Sequence, residues 1–547
     1  MKGMMMHRPL KIADILEFAA EVHGEAEVIS ARHEGDVHRA GLRAIRDRVC
    51  RLAHALRARG VGEGERIATL AFNGHRHLEC YYAISGIGAV CHTINPRLPA
   101  DQMRYIIDHA GDTHIFVDAP LVPLLEPLLP TLARPLTVVV MTDRAHMPDT
   151  PLDGVICYEE LLDGEPTRFD WPDYPEETAA GLCYTSGTTG APKGALYSHR
   201  STVLHALFVS SALPTVLQPG RKVLPVVPLF HVNAWGLPYV APLAGASLVF
   251  PGAKLDGKSL FDLMDAEGVY SAWGVPTVWL GLLAEIAARG RLPEGFGHVL
   301  VGGSAAPRSM IAAFEEMGVT VFHAWGMTEM SPIGTVGALP PSVRAGPPEA
   351  RLQKQSIQGR RVFGVEFKIN GENGERLPHD GVSQGELHVR GNAVISGYHA
   401  NPEATEAAID AEGWFGTGDI ATIDPDGYLS ITDRAKDLIK SGGEWISSLD
   451  VENLAISHPK VRNCACIAVA DDKWGERPLL VVVPEGDDAP DSDEILDLLA
   501  TKFARWQLPD EVVTVDALPL TATGKVSKLT LRKQFAAQRA AEGGRTP

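Results

Sequence analysis

The segment Y-T-S-G-T-T-G-A-P-K-G (184–194) concentrates the residue types that grip phosphate. Its glycines, Gly187 among them, let backbone N–H groups turn towards an anion. The hydroxyls of Thr185, Ser186, Thr188 and Thr189 add donors, and Lys193 adds a positive charge. It is not a Walker A loop, because Pro192 stands five residues after Gly187 where that pattern needs glycine. The same composition also makes a plain surface turn, so composition alone leaves both readings open. An apolar run, A-A-G-L-C-Y, precedes it, and a helix is predicted from near Ser198. The loop is therefore expected between a strand and a helix.

The elements that must carry this loop belong to an α/β protein. From about residue 40 to 340, apolar runs alternate with helical patterns, which predicts layered α/β subdomains with mainly parallel sheets. Helices are expected over 101–109, 276–288 and 307–317, and strands over 113–117, 223–227, 298–303 (ending in glycines) and 319–323. After about residue 350, turn signals such as N-G-E-N-G (370–374) and D-P-D-G (424–427) punctuate short strands. This reads as a small β-rich lobe over about 350–432. A C-terminal α+β domain follows over 433–547, with an amphipathic helix expected from Asp491 to Trp506.

The bulk properties bound the partners. The chain has 547 residues, enough for about three or four lobes. Its 50 basic and 68 acidic residues give a formal charge of -18, which repels nucleic acid and anionic membrane. Seven scattered cysteines without C-x-x-C spacing fit reduced thiols. The N-terminus lacks the apolar core of a signal peptide, and no run reaches the roughly 18 apolar residues of a membrane span. A cytoplasmic protein without stable membrane insertion is expected.

Six further strings follow the glycine-rich loop in order: V-P-L-F-H-V-N-A-W (227–235), G-G-S-A-A-P (302–307), W-G-M-T-E (325–329), T-G-D (417–419), D-R-A-K-D-L-I-K-S-G-G-E-W-I-S (433–447) and P-L-T-A-T-G-K (519–525). Together they resemble the adenylate-forming superfamily of acyl-CoA synthetases, luciferases and peptide-synthetase adenylation domains, across roughly residues 10 to 535. The wording F-H-V-N-A-W and S-G-G-E-W-I-S is most similar to the medium- and long-chain fatty acyl-CoA synthetase branch.

The resemblance implies an ATP-dependent acid:CoA ligase that forms an acyl-adenylate and then an acyl-CoA. Lys525 would reach the α-phosphate and the substrate carboxylate. Glu329 and Thr185 would hold Mg2+, which accepts oxygen ligands and keeps several waters. Adenosine would lie along Gly303, Ser304, His323, Ala324, Trp325 and Thr328, with Asp419 on the ribose hydroxyls. Arg434, Lys436, Lys440 and Trp445 would complete the nucleotide site. His231, Val232 and Trp235 would stand at the acyl entrance, and Gly442 and Gly443 would line the channel for the pantetheine of coenzyme A.

In the superfamily the C-terminal lobe swings about a hinge, here Asp433, so that Lys525 serves the first step and the glycine turn the second. The acid expected is a medium- or long-chain fatty acid. A short substituted acid such as 3-(methylthio)propanoate is the alternative within the class, and a non-catalytic adenylate-binding protein the alternative outside it. The resemblance also allows a homodimer.

Overall fold

Runs such as V-C-H-T (90–93) and S-A-W-G (271–274) are buried at every position, as strands covered by helices on both faces must be. The computed structural model describes residues 1, 3–185, 191–442, 444–471, 473–486, 489–521 and 525–543. Two large sheets organise the first 340 residues. In the seven-stranded sheet, Ile156–Cys157, Thr137–Val140, His114–Val117, Arg66–Leu70, Val90–Thr93 and Ala179–Tyr184 run parallel, and Gly194–Ser198 closes the edge antiparallel. The nine-stranded sheet is parallel from Glu27–Ala31 through Ser247–Phe250, Lys222–Pro225, Ser271–Gly274 and His298–Val301 to Thr320–Gly326. Antiparallel strands flank it on both sides.

The expected helices form at Ala100–Ala110, Pro276–Arg289 and Arg308–Glu316. Gly111 and Gly290 end the first two in the left-handed conformation that glycine adopts without steric cost. The β-rich lobe is a four-stranded antiparallel meander: Val365–Asn370, Gly385–Gly391, Phe415–Ile423 and Leu429–Arg434. The next strand, Ile439–Ser441, belongs to a different sheet with Glu444–Ile446, Gly475–Pro484, Val461–Asp471 and Glu511–Thr514. Sheet membership thus changes between Arg434 and Ile439.

Two expectations need correction. The glycine-rich loop does not join a strand to a helix. It joins two antiparallel strands, Ala179–Tyr184 and Gly194–Ser198, in register from Ala179↔Ser198 to Tyr184↔Gly194. The helix His199–Ala212 begins only after the second strand, where Ser198 accepts from the Ser201 N–H in a capping box. Its N-terminus therefore does not open directly from the loop. The helix expected from Asp491 to Trp506 spans Ser492–Ala500. The chain then turns, because the carbonyls of Trp506 and Leu508 accept from Arg477 on the neighbouring strand.

Candidate active site

The residues that flank the segment 522–524 anchor Lys525, the lysine of T-A-T-G-K, beside it. Leu520 and Val526 pair across it, the Thr521 N–H donates to the Lys525 carbonyl at 2.7 Å, and the Lys525 N–H donates to Thr521 Oγ1 at 3.2 Å. The side chain lies against the end of the strand His298–Val301. A Cβ added to Gly303 would stand 3.6 Å from Lys525 Cε, and Gly303 itself is left-handed at φ 81°. The left-handed backbone is what favours glycine there. Burial and the Arg434 guanidinium push the Lys525 ammonium down to about 8, against the pull of Asp419 and Glu329.

Asp419 faces this lysine from the β-rich lobe. It pairs in register with Arg434, whose Nε stands 3.4 Å from Oδ1. The indole Nε1 of Trp325 donates to Oδ2 at 2.9 Å. Burial raises the Asp419 pKa, and Arg434, Trp325 and Lys525 oppose the rise. Lys436 adds positive potential at Lys525, and its own pKa is lowered by burial.

Glu329 sits in the turn Thr328–Met330 and is buried, which raises its pKa. The Tyr398 hydroxyl donates to its Oε1 at 2.7 Å. The Tyr398 ring also faces Lys193, whose Nζ is 5.1 Å from the ring centroid. Thr185 and Lys193 close the stem of the glycine-rich loop: the Thr185 N–H donates to the Lys193 carbonyl at 2.9 Å, and the Lys193 N–H donates to Thr185 Oγ1 at 3.3 Å. The Tyr197 hydroxyl fixes the other side by donating to the Thr328 carbonyl at 2.6 Å.

Beyond Gly302 and Gly303 the wall is apolar. The Trp235 ring lies 3.3 Å from where a Gly302 Cβ would stand, and it is buried. Val232, Asn233, Ala234 and Trp235 all have positive φ, between 43° and 58°, followed by Gly236 at 82°. This left-handed turn of non-glycine residues is held by specific bonds. The Tyr81 hydroxyl reaches the Leu229 carbonyl at 2.5 Å and Asn233 Oδ1 at 3.1 Å, and the Val232 N–H reaches Cys183 Sγ at 3.3 Å. Burial, together with the Lys525 charge, pushes His231 down to about 3, and burial holds His205 there as well. Both rings are neutral at physiological pH.

The structure thus gathers Lys525, Gly303, Asp419, Arg434, Trp325 and Glu329 about one locus, with Thr185 and Lys193 joined to Glu329 through Tyr398. His323 and Ala324 are buried in the strand that leads to Trp325, and Ser304 is exposed beside Gly303. Lys440 and Trp445 stand apart. Lys440 Nζ lies 4.9 Å over the Trp445 ring, and the Trp445 indole donates to Glu372 at 3.1 Å on the turn N-G-E-N-G. Gly442 is left-handed at φ 61° and packs on Trp474. Ser186, Gly187, Thr188, Thr189 and Gly443 lie outside the described residues. Sequence reasoning missed Tyr398, Tyr197 and Tyr81, whose partners are 69, 131 and 148 positions away. No local signal marks such partners.

A half-buried lysine from one lobe beside strand-end glycines, with an aspartate and a glutamate from others, makes a polar locus suited to an anionic ligand. Residues 16–399 match the family described as AMP-binding enzyme, and residues 450–525 match the AMP-binding enzyme C-terminal domain. The 3-methylmercaptopropionyl-CoA ligase of Ruegeria lacuscaerulensis is 48% identical over 537 residues, 98% of this chain and 99% of that protein. The medium-chain-fatty-acid–CoA ligase of Ectopseudomonas oleovorans is 47% identical over 540 residues, 98% of each chain. The solved structure of the anthranilate CoA ligase AuaEII with anthranoyl-AMP superposes with a TM-score of 0.85 at 23% identity, covering 98% of this chain and all of that one, and shows the fold. The chain belongs to the AMP-binding enzyme family and is an AMP-forming acid–thiol ligase. Ligases of this class take ATP and coenzyme A as substrates.

Proposed function

We propose that this enzyme activates a medium- or long-chain fatty acid in two steps on the site built around Lys525. In the first, a carboxylate oxygen attacks the α-phosphorus of ATP, the bond from that phosphorus to the bridging oxygen breaks, and pyrophosphate leaves. In the second, the thiol sulfur of coenzyme A attacks the acyl carbon and AMP leaves. The supporting observation is the half-buried Lys525 beside Gly303, in the electrostatic reach of both Asp419 and Glu329. Charge accumulates on the transferring phosphoryl group and both oxygens, so a pre-placed ammonium stabilises the transition state more than the ground state.

Asp419 accepts from the ribose hydroxyls, while Arg434 and Lys436 supply positive potential to the phosphates. Gly303, Ser304, His323, Ala324, Trp325 and Thr328 form the adenosine wall, and the loop from Thr185 to Lys193 cradles the phosphates. A divalent cation fits Glu329: the carboxylate is buried and its desolvation is unfavourable until a cation neutralises it. Glu329 and the Thr185 hydroxyl would hold Mg2+, which supplies charge neutralisation on the phosphates. Asp433 is the proposed hinge. Its carboxylate accepts from the Arg434 N–H and from the Ser448 N–H and hydroxyl, each at 2.7 Å, at the junction between the two sheets. Rotation there withdraws Lys525 and brings Gly442 and Gly443 to the pantetheine.

The residues flanking Trp235 are apolar, and the two histidines near them are neutral, which favours an aliphatic acid over a dicarboxylate. The short thioether acid remains the second reading, supported by the name of the Ruegeria relative. A series of acids from 3-(methylthio)propanoate to palmitate, scored by kcat/KM, separates the two. For the mechanism, Lys525→Ala should abolish acid-dependent pyrophosphate–ATP exchange and spare thioester formation from pre-made acyl-adenylate. Equal loss of both steps would refute the assignment.

A further inference from the structure

The segment 394–401 stitches two separated parts of the site together. The Ile395 N–H donates to the Glu329 carbonyl at 2.9 Å, and the His399 N–H donates to the Gly194 carbonyl at 2.8 Å. Tyr398, between those two ties, pairs with Ala195 in an isolated bridge, and its N–H donates to Thr405 Oγ1 at 2.9 Å. Ala400 beside it is left-handed at φ 47°, so the backbone course is specified by more than chance packing. The ring is edge-on to Phe415, with centroids 6.2 Å apart, which limits its rotation.

From this frame Tyr398 touches two functional side chains at once. Its hydroxyl donates to Glu329 Oε1, and its ring face meets the Lys193 ammonium. We propose that Tyr398 is a positioning residue that seats Glu329 and Lys193 in one geometry, so that the metal carboxylate and the phosphate-loop cation are set together. The hydroxyl occupies one carboxylate oxygen and leaves the other to the cation. The ring face is an electrostatic partner that keeps the ammonium at the stem of the loop. The inference rests on the reading of Glu329 as a metal ligand. It adds a residue on the β-rich lobe that couples this ligand to the loop.

Two binding measurements test it on the full chain. Electron paramagnetic resonance reads Mn2+ binding in the presence of a non-hydrolysable ATP analogue, and calorimetry reads the analogue alone with chelator present. Tyr398→Phe keeps the ring and loses the hydroxyl. It should weaken Mn2+ by about tenfold, as loss of a ligand-orienting hydrogen bond does, and leave the metal-free analogue affinity within about twofold. Tyr398→Leu should show the same metal loss and also weaken the metal-free analogue by about threefold, the scale of a partly exposed cation–π contact. If the leucine variant does not fold, pentafluorophenylalanine at 398 replaces it, since it keeps the ring shape and reverses the charge of its face.

Wild-type Mn2+ affinity in Tyr398→Phe, or identical losses in both measurements for the two variants, would overturn the proposal. Glu329→Gln separates the layers. If that variant binds Mn2+ normally, the metal reading of Glu329 fails and the inference falls with it. If it loses Mn2+ while Tyr398→Phe does not, the inference alone is wrong.

Discussion

The Lys525 ammonium should give adenylation a basic limb whose position depends on whether ATP is bound. Burial and Arg434 lower its pKa from the ordinary 10.5 to about 8. At about 1.4 kcal/mol per unit, this disfavours the charged form by roughly 3 kcal/mol in the docked lobe. The sign follows directly. Below pH 8 the ammonium is present and carries that penalty; between 8 and 10.5 the docked lysine is neutral; above 10.5 both states are neutral and the penalty is gone. In free enzyme, each pH unit above 8 removes about nine-tenths of the active cation. ATP brings phosphate charge to the same locus and raises the pKa again. The kcat/KM for ATP in pyrophosphate exchange should therefore fall about tenfold per unit above pH 8, while the limb in kcat lies at higher pH. Lys525→Arg, charged throughout this range, should be slower and should lose the limb. A limb that persists unchanged in the arginine variant, or one at the same pH in both parameters, would refute the reasoning.

Trp325→Phe keeps an aromatic ring against Phe367 but removes the 2.9 Å donor to the buried Asp419 carboxylate. The hydrogen bond orients Asp419 rather than touching ATP, so its loss should raise KM for ATP by part of its roughly 2 kcal/mol, about three- to tenfold; a change under about twofold would count against the ribose role of Asp419. Lys528 pairs with the largely buried Glu452 at 2.7 Å. Lys528→Met should destabilise the C-terminal lobe by about 3–5 kcal/mol in calorimetric unfolding, because it strands a carboxylate in low dielectric. An unchanged transition would show that water reaches Glu452. Trp235→Ala should shift the best acid to a longer chain in the kcat/KM series, and an unmoved optimum would place the acyl chain elsewhere.

The large elements were legible because their signals are local. The helix Pro276–Arg289 opens with proline and closes at Gly290, and short apolar runs mark the parallel strands His114–Val117 and His298–Val301. The strand Gly194–Ser198 was read as the approach to a helix because G-A-L-Y-S carries no decisive period. Its character comes from pairing with Ala179–Tyr184 on the far side of the loop, which its own five residues do not reveal. Lys525, Asp419 and Glu329 could be named from their strings, whereas their meeting depends on how three lobes pack. Tyr398 was invisible for the same reason: a tyrosine in G-Y-H-A reads as a turn residue until Glu329 and Lys193 are placed around it.

The left-handed turn over Val232–Trp235 has an energetic consequence. At about 1–2 kcal/mol per non-glycine residue, the four together hold roughly 4–8 kcal/mol of conformational strain. Folding has already stored that energy when the indole rests on Gly302 and Gly303. A guest chain that pushes the ring aside need not supply the full work of opening, since the backbone relaxes as it goes. If the acyl chain enters past Trp235 as proposed, the tryptophan would behave as a sprung latch rather than a fixed wall, held by the bonds of Tyr81 to Leu229 and Asn233 and of Val232 to Cys183.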